Sequence, residues 1–134
     1  MLSGSCLCGG VRFEIDGKLG PASHCHCTMC RKAHGAAFGT YAAARASELK
    51  VVAGADLIVR YVSSPGIVRA FCSRCGSRLQ WLRESKPEVI DIALGAIDGD
   101  PGVRPSFHIH VASRAPWHDI SDALPQHAAG VPPG

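Results

Sequence analysis

Aromatic side chains are scarce in this sequence: 6% of 134 residues are Phe, Tyr or Trp, and only two are Met. Its core must come from Val, Ile, Leu and Ala, each of which buries little area, so a covalent or metal staple would be a useful supplement. Long apolar runs are also missing. The longest uncharged stretch, around 33–44, is too short and too rich in glycine to span a bilayer, so no membrane partner is expected. No repeat or low-complexity linker divides the chain, which implies one domain. Sustained helical periodicity is absent as well. The opening Met1-Leu2-Ser3-Gly4-Ser5 has neither the basic nor the apolar segment of a secretory leader. A cytoplasmic location is the resulting expectation, with its cysteines reduced.

Charge of one sign is not in excess either. The formal balance is +3, with 19% charged residues. Loading the seven cysteines as thiolates around two Zn²⁺ ions would subtract seven units and return four, leaving the chain neutral. The basic residues are scattered, so no nucleic-acid partner is expected.

The sequence does contain short, punctuated apolar segments. Residues 11–15 alternate apolar and polar and predict a half-buried strand. Further strands are predicted over 35–41, 49–53, 57–62, 67–71, 77–82, 89–94 and 106–111. The 49–53 and 57–62 pair reads as a hairpin across Gly54-Ala55-Asp56. Helical turns are expected only at 28–34, 43–48 and 119–124. This pattern predicts a mainly β, antiparallel domain. From Pro125 on, three prolines and two glycines suggest a frayed tail, 125–134. Phe38, Phe71 and Trp81 read as core.

The seven cysteines fall into three groups: Cys6-Leu7-Cys8, Cys25-His26-Cys27-Thr28-Met29-Cys30 and Cys72-Ser73-Arg74-Cys75-Gly76. The last is a knuckle at a predicted hairpin tip, where two sulfurs can face one ion and Gly76 can take a left-handed turn. Cys6 and Cys8 are its natural complement, giving a closed Cys₄ structural site. The middle group has three cysteines and no fourth. Three thiolates leave one position for water or substrate; His34, one helical turn past Cys30, could instead close a Cys₃His site, and a redox dithiol is a third reading. If 25–27 is extended, His24 and His26 point away from Cys25 and Cys27.

Together these motifs resemble the glutathione-dependent formaldehyde-activating family, which includes centromere-protein-V-like proteins. The resemblance rests on residues 4–13 around Cys6-Leu7-Cys8-Gly9-Gly10, on residues 25–32, on Gly35-Ala36 and Phe38-Gly39, on residues 71–77, and on Pro116-Trp117. It implies a β fold similar to the Mss4-like fold over residues 1–124. It implies a structural zinc on Cys6, Cys8, Cys72 and Cys75, and a catalytic zinc on Cys25, Cys27 and Cys30. It further implies a carbon–sulfur lyase-type reaction joining glutathione, as co-substrate, to formaldehyde. The partners would then be a small thiol and a small aldehyde.

The chemistry of such a site suggests roles for neighbouring residues. His34 is a candidate proton donor to the adduct. Arg31 and Lys32 are candidates for binding glutathione carboxylates, or else solvated surface charges. Trp117 reads as a pocket wall or as core. His108 and His110 share parity on one strand and read as exposed, with a paired metal site as the alternative. A non-catalytic zinc module contacting a protein partner is the competing function.

Overall fold

The structure, a computed structural model, describes residues 1–130. The described residues hold eleven strands and one α-helix: β1 Leu2–Ser5, β2 Arg12–Ile15, β3 Ala22–Cys25, α1 Thr28–His34, β4 Gly39–Arg45, β5 Leu49–Ala53, β6 Ile58–Ser64, β7 Ile67–Cys72, β8 Arg78–Arg83, β9 Val89–Ala93, β10 Ile97–Asp98 and β11 Pro105–Ile109. They form a four-stranded sheet, ordered β10-β1-β2-β5, and a seven-stranded sheet, ordered β11-β3-β4-β9-β8-β7-β6. All pairings are antiparallel except β11 with β3. The fold is mainly β, as expected.

Phe13 and Ile15, which alternate with Arg12 and Glu14, point from the smaller sheet into the core. There they meet Ala44, Leu79 and Ile92 of the larger one, with Val11 and Ile97 beside them. Cys6 and Cys72 belong to the same buried cluster. Only one face of the larger sheet is used in this way.

Several expectations need correction. The hairpin across 54–56 does not form: β5 pairs with β2 and β6 with β7, so the chain changes sheets there. Gly54 makes the crossing at φ 75°, and a Cβ on it would meet the Gly10 carbonyl oxygen at 2.1 Å. The strand predicted over 35–41 begins at Gly39, because Gly35 caps α1 in a left-handed conformation and donates its N–H to the Arg31 carbonyl. The Ala-rich run Ala42-Ala43-Ala44 was predicted in part as a helical turn, yet lies in β4. Pairing with β3 on one side and β9 on the other overrides weak local propensity. Residues 119–124 are not helical; Asp122 there accepts from the Leu124 N–H and from a histidine. The segment from Pro125, expected to fray, hydrogen-bonds along β11 and its exit through Pro125, His127, Ala128 and Ala129; residues 131–134 lie outside the described residues. No described helix is long and apolar enough to cross a membrane.

Phe38 and Phe71 are partly exposed rather than core, and so is Trp81. Trp81 lies on the sheet face that does not pack against the smaller sheet.

Ile92 is fully buried in the cluster joining the sheets. Ile92→Ala should cost about 2–5 kcal/mol, read from the urea midpoint with an unchanged denaturant slope.

Candidate metal centres and their cavity

The first sulfur group lies where the two sheets meet. Cys6 and Cys8 follow β1 of the smaller sheet; Cys72 ends β7 of the larger one, and Cys75 follows before β8. All four sulfurs lie within 4.8 Å of one another, with Cys6–Cys8 at 3.5 Å and Cys8–Cys72 at 3.9 Å. Two similar loops achieve this. Cys6 pairs its N–H with the Val11 carbonyl, and Cys72 pairs its own with the Ser77 carbonyl. In each loop the second cysteine is followed by a left-handed glycine, Gly9 at φ 76° and Gly76 at φ 78°. The Val11 N–H donates to the Cys6 sulfur at 3.2 Å. Ser77 and its backbone hold the Cys75 thiol down at about 5; at Cys8 the Gly10 amide pulls downward, but Cys6, desolvation, Cys75 and Cys72 together push the thiol up to about 11. Gathered sulfurs that bias one another's protons in this way form a donor set for a thiophilic cation.

The second group, Cys25, Cys27 and Cys30, also lies within 4.8 Å of itself, and no other described His, Cys, Asp or Glu joins it. Cys25 ends β3; Cys27 is the N-cap of α1, where its sulfur accepts from the Cys30 N–H at 3.3 Å. Hydrogen bonds from Cys25 and Cys30, that backbone amide and the Arg69 charge hold the Cys27 thiol well below the usual range. Cys25 is pushed far up by Cys27 and Cys30.

Period-two geometry places the rest of the site. The face of the seven-stranded sheet opposite the core carries Ser23 and Cys25 from β3, Tyr41 and Ala43 from β4, and Asp91 from β9. Trp81 and Arg83 from β8, Arg69 from β7, and Phe107 and Ile109 from β11 complete it. These side chains line a cavity of about 510 Å³ that contains all three sulfurs. Arg69 is only 6% exposed, and its Nη1 donates to the Cys30 sulfur at 3.4 Å while its Nε donates to the Ser63 hydroxyl at 3.2 Å. Burial disfavours its charge, but the Cys30 bond and the surrounding thiols hold it firmly protonated.

His34 is outside the sulfur group. Its Nε2 lies 2.7 Å from the Tyr41 hydroxyl, and the ring lines a separate groove of about 680 Å³ with Phe38, Thr40 and Arg78. Burial, with Arg69 and Arg78 adding to it, pulls His34 below the usual imidazole range. Burial likewise pushes the Tyr41 phenol far up. The pair therefore rests as neutral imidazole and protonated phenol. Tyr41 faces the sulfurs' cavity, so the pair connects the cavity to the groove.

Arg31 and Lys32 do not line the cavity. Cys27, Cys30 and His34 follow the i, i+3, i+7 spacing of one helix face, and the two cations lie off it, Lys32 exposed. Trp117 is 69% exposed and lines neither recess, so it is neither core nor wall. The arginines lining the sulfurs' cavity are Arg69, which touches Cys30, and Arg83, and sequence reasoning missed both. Arg69 did leave a signal, an arginine embedded in the apolar run Ile67-Val68-Arg69-Ala70-Phe71.

His24 and His26 turn away from the sulfurs, as expected for an extended Cys25. His24 meets the Thr40 hydroxyl at 2.8 Å, and the His26 Nε2 lies 2.8 Å from the His108 Nδ1. His108 is buried rather than exposed. Its Nε2 donates to the Asp122 carboxylate at 3.0 Å, and its Nδ1 is the atom that meets His26. His110 does not share its face: at φ 55° it leaves the strand alternation and enters the cavity. The His26 N–H donates to the Ile109 carbonyl, so this buried chain ties the Cys25–Cys27 segment to β11 and to Asp122.

A family model described as glutathione-dependent formaldehyde-activating enzyme matches residues 1–113. A Halomonas elongata protein named "Putative glutathione-dependent formaldehyde-activating enzyme" is 33% identical over 129 residues, spanning 90% of this chain and 81% of that protein. A crystal structure of a Rhodobacter sphaeroides protein matches with a TM-score of 0.63 at 30% identity, covering 73% of this chain and 89% of that one.

Burial, with His108 and His118 nearby, holds His26 down at about 4. Between the ordinary pKa near 6.5 and this value, the unfolded chain binds a proton that the folded one refuses, so stability should fall as pH falls through that window. His26→Gln should flatten this slope of melting temperature against pH, whatever it does to stability at pH 8.

Proposed function

This chain belongs to the glutathione-dependent formaldehyde-activating enzyme family, and from that premise we propose that it joins the thiol of glutathione to formaldehyde. The product is S-(hydroxymethyl)glutathione, and the class is carbon–sulfur lyase. Two zinc ions are part of the proposal, a structural one on Cys6, Cys8, Cys72 and Cys75 and a catalytic one on Cys25, Cys27 and Cys30. The observation that carries it is the trio of sulfurs in a cavity, with no fourth donor from the described chain in their group.

The donor sets fit zinc. A tetrahedron with zinc–sulfur bonds of about 2.3 Å sets its sulfurs roughly 3.8 Å apart, and the Cys6–Cys8 and Cys8–Cys72 separations of 3.5 and 3.9 Å bracket that. Zinc held by the trio would make a substrate thiol acidic enough to be a thiolate at neutral pH while leaving its sulfur electron-rich.

The protein's own groups then handle the proton. The thiol proton passes to the Tyr41 oxygen as the phenol gives its own to His34, whose neutral imidazole can accept it. The substrate sulfur adds to the formaldehyde carbon: one carbon–sulfur bond forms, and the carbonyl π pair moves to oxygen. Tyr41 protonates that oxygen and recovers a proton from His34. The proton lost by the thiol ends on the product hydroxyl, and no other reactant is consumed. This gives His34 the proton-handling role expected of it, with Tyr41 as the group facing the substrate. Arg69, bonded to Cys30, offsets the negative charge that gathers as the sulfurs ionise.

Cys27→Ala should fold with a near-wild-type melting temperature, hold one zinc per chain instead of two, and lose catalysis. A chain that is unfolded by this change would make the second cluster structural. Tyr41→Phe should retain both zinc ions and lower the enzyme-dependent rate, after subtraction of the spontaneous reaction, by about 100-fold or more.

A further inference from the structure

Outside the sulfur trio and the proton pair, the cavity presents two opposite charges that make no ion pair or hydrogen bond among the described residues. Asp91 faces it from β9 and Arg83 from β8. Asp91 is partly buried, and burial raises its carboxyl; Arg83 and Lys86 act on it only through space, with no hydrogen bond contributing. Neither Asp91 nor Arg83 belongs to any of the ion pairs among the described residues. Lys86 does not line the cavity. The Arg83 guanidinium instead lies over the Trp81 ring, 5.2 Å from its centroid, which holds it at the cavity wall. Arg69, the other cation, is committed to Cys30 and Ser63.

A half-buried carboxylate without a partner is costly, and the cost is repaid when a ligand brings a cation to it. An arginine left free beside it suits a carboxylate on that same ligand. Register gives the distance. Arg69 lies opposite Trp81, and Trp81 opposite Asp91, so the three form one row across β7, β8 and β9. Two strand spacings separate Arg69 from Asp91, about 10 Å. Arg69 reaches the sulfur group only with the far end of its side chain; counted through β3, β4 and β9, where Cys25 lies opposite Gly39 and Ala43 opposite Asp91, the backbones of Cys25 and Asp91 are about 17 Å apart, a span that the two side chains and a thiol peptide between them can fill. In an extended γ-glutamyl-cysteine unit the thiol and the free ammonium are separated by eight bonds, roughly 8–10 Å.

We infer that Asp91 and Arg83 form a subsite for the amino-acid end of the substrate thiol, Asp91 taking the ammonium and Arg83 the carboxylate, with Trp81 as the wall between. This rests on the reaction proposed above and names which part of the thiol peptide the cavity reads. Simple thiols would lack this anchor and bind weakly.

The test is equilibrium binding by calorimetry, with zinc-loaded protein and S-methylated ligands that cannot react: S-methylglutathione, and its desamino analogue in which a glutaryl group replaces γ-glutamyl. The wild type should prefer S-methylglutathione by roughly tenfold to a hundredfold, the range of one charge-assisted hydrogen bond. Asp91→Asn, nearly isosteric, should bring that ratio close to one, and Arg83→Gln should weaken both ligands. A wild-type ratio near one overturns the inference without recourse to any variant, as does an Asp91→Asn chain that keeps the preference. Turnover separates this result from the reaction itself. If the wild type condenses 2-mercaptoethanol with formaldehyde as well as it condenses glutathione, the subsite falls and the reaction stands. If it turns over neither thiol but binds S-methylglutathione through Asp91, the reaction falls and the subsite stands.

Discussion

The pleat of the seven-stranded sheet assigns alternate residues of each strand to opposite environments, and this constraint organises both the core and the cavity. Ala42, Ala44 and Ile92 project toward the smaller sheet; Tyr41, Ala43 and Asp91, one residue away along the same strands, project into the cavity. A slip of one residue in β4 or β9 would exchange the two sets, placing Asp91 in the apolar core. Register is therefore enforced from both sides: by the cost of burying a carboxylate and by the loss of Ile92 from the cluster. The four-sulfur group acts on the same register from its end. It joins the loop after β1 to the turn between β7 and β8, linking the sheets where the core has few large side chains.

Electrostatics ties Arg69 to the three sulfurs in both directions. A guanidinium only 6% exposed inside an apolar strand is tolerable when anions surround it, and a thiolate trio with one divalent cation carries a net negative charge. With Arg69 bonded to Cys30, such an assembly would approach neutrality before substrate arrives. In the proposed reaction a substrate thiolate would then bring back one negative charge, which would favour its attack on a carbonyl. The helix contributes as well, since the Cys27 sulfur caps the first turn of α1 and receives the Cys30 N–H.

The cysteine spacing made both sulfur groups legible in the sequence, because a metal site imposes local chemistry that survives in a one-dimensional pattern. The strands at 49–53 and 67–71 and the helix at 28–34 were equally readable: the strands are contiguous apolar runs, and the helix has a capped end. Strands β1, β3 and β10 were missed. They are short, and Leu2-Ser3-Gly4-Ser5 has no bulky alternation to announce it. The cavity was the least legible part. Arg69, Arg83, Asp91 and Tyr41 come from four strands, and only pairing order brings them to one face. Arg31 and Lys32 attracted attention through sequence adjacency to Cys30, but on a helix the next two residues turn away from the face that Cys30 occupies. His110 escaped for the opposite reason. Strand alternation put it beside His108, and a left-handed backbone undid the alternation.

In the proposed reaction, the two recesses would separate the tasks of binding and proton transfer. The cavity of about 510 Å³ holds the sulfurs and the unpaired charges, whereas the groove of about 680 Å³ holds the imidazole of His34. Between them lies a single 2.7 Å contact from phenol to ring. Had His34 itself faced the sulfurs, it would have been a fourth ligand at Cys₃His spacing, and the centre would be closed to any substrate. Tyr41 resolves this conflict. A phenol kept protonated by burial is a poor ligand and a good conduit, so it can occupy the space a histidine would have sealed while keeping the histidine's basicity within reach. The seven positions from His34 to Tyr41 take in the Gly35 cap, the loop over 36–38 and the first three residues of β4, so the end of the helix brings ring and phenol together.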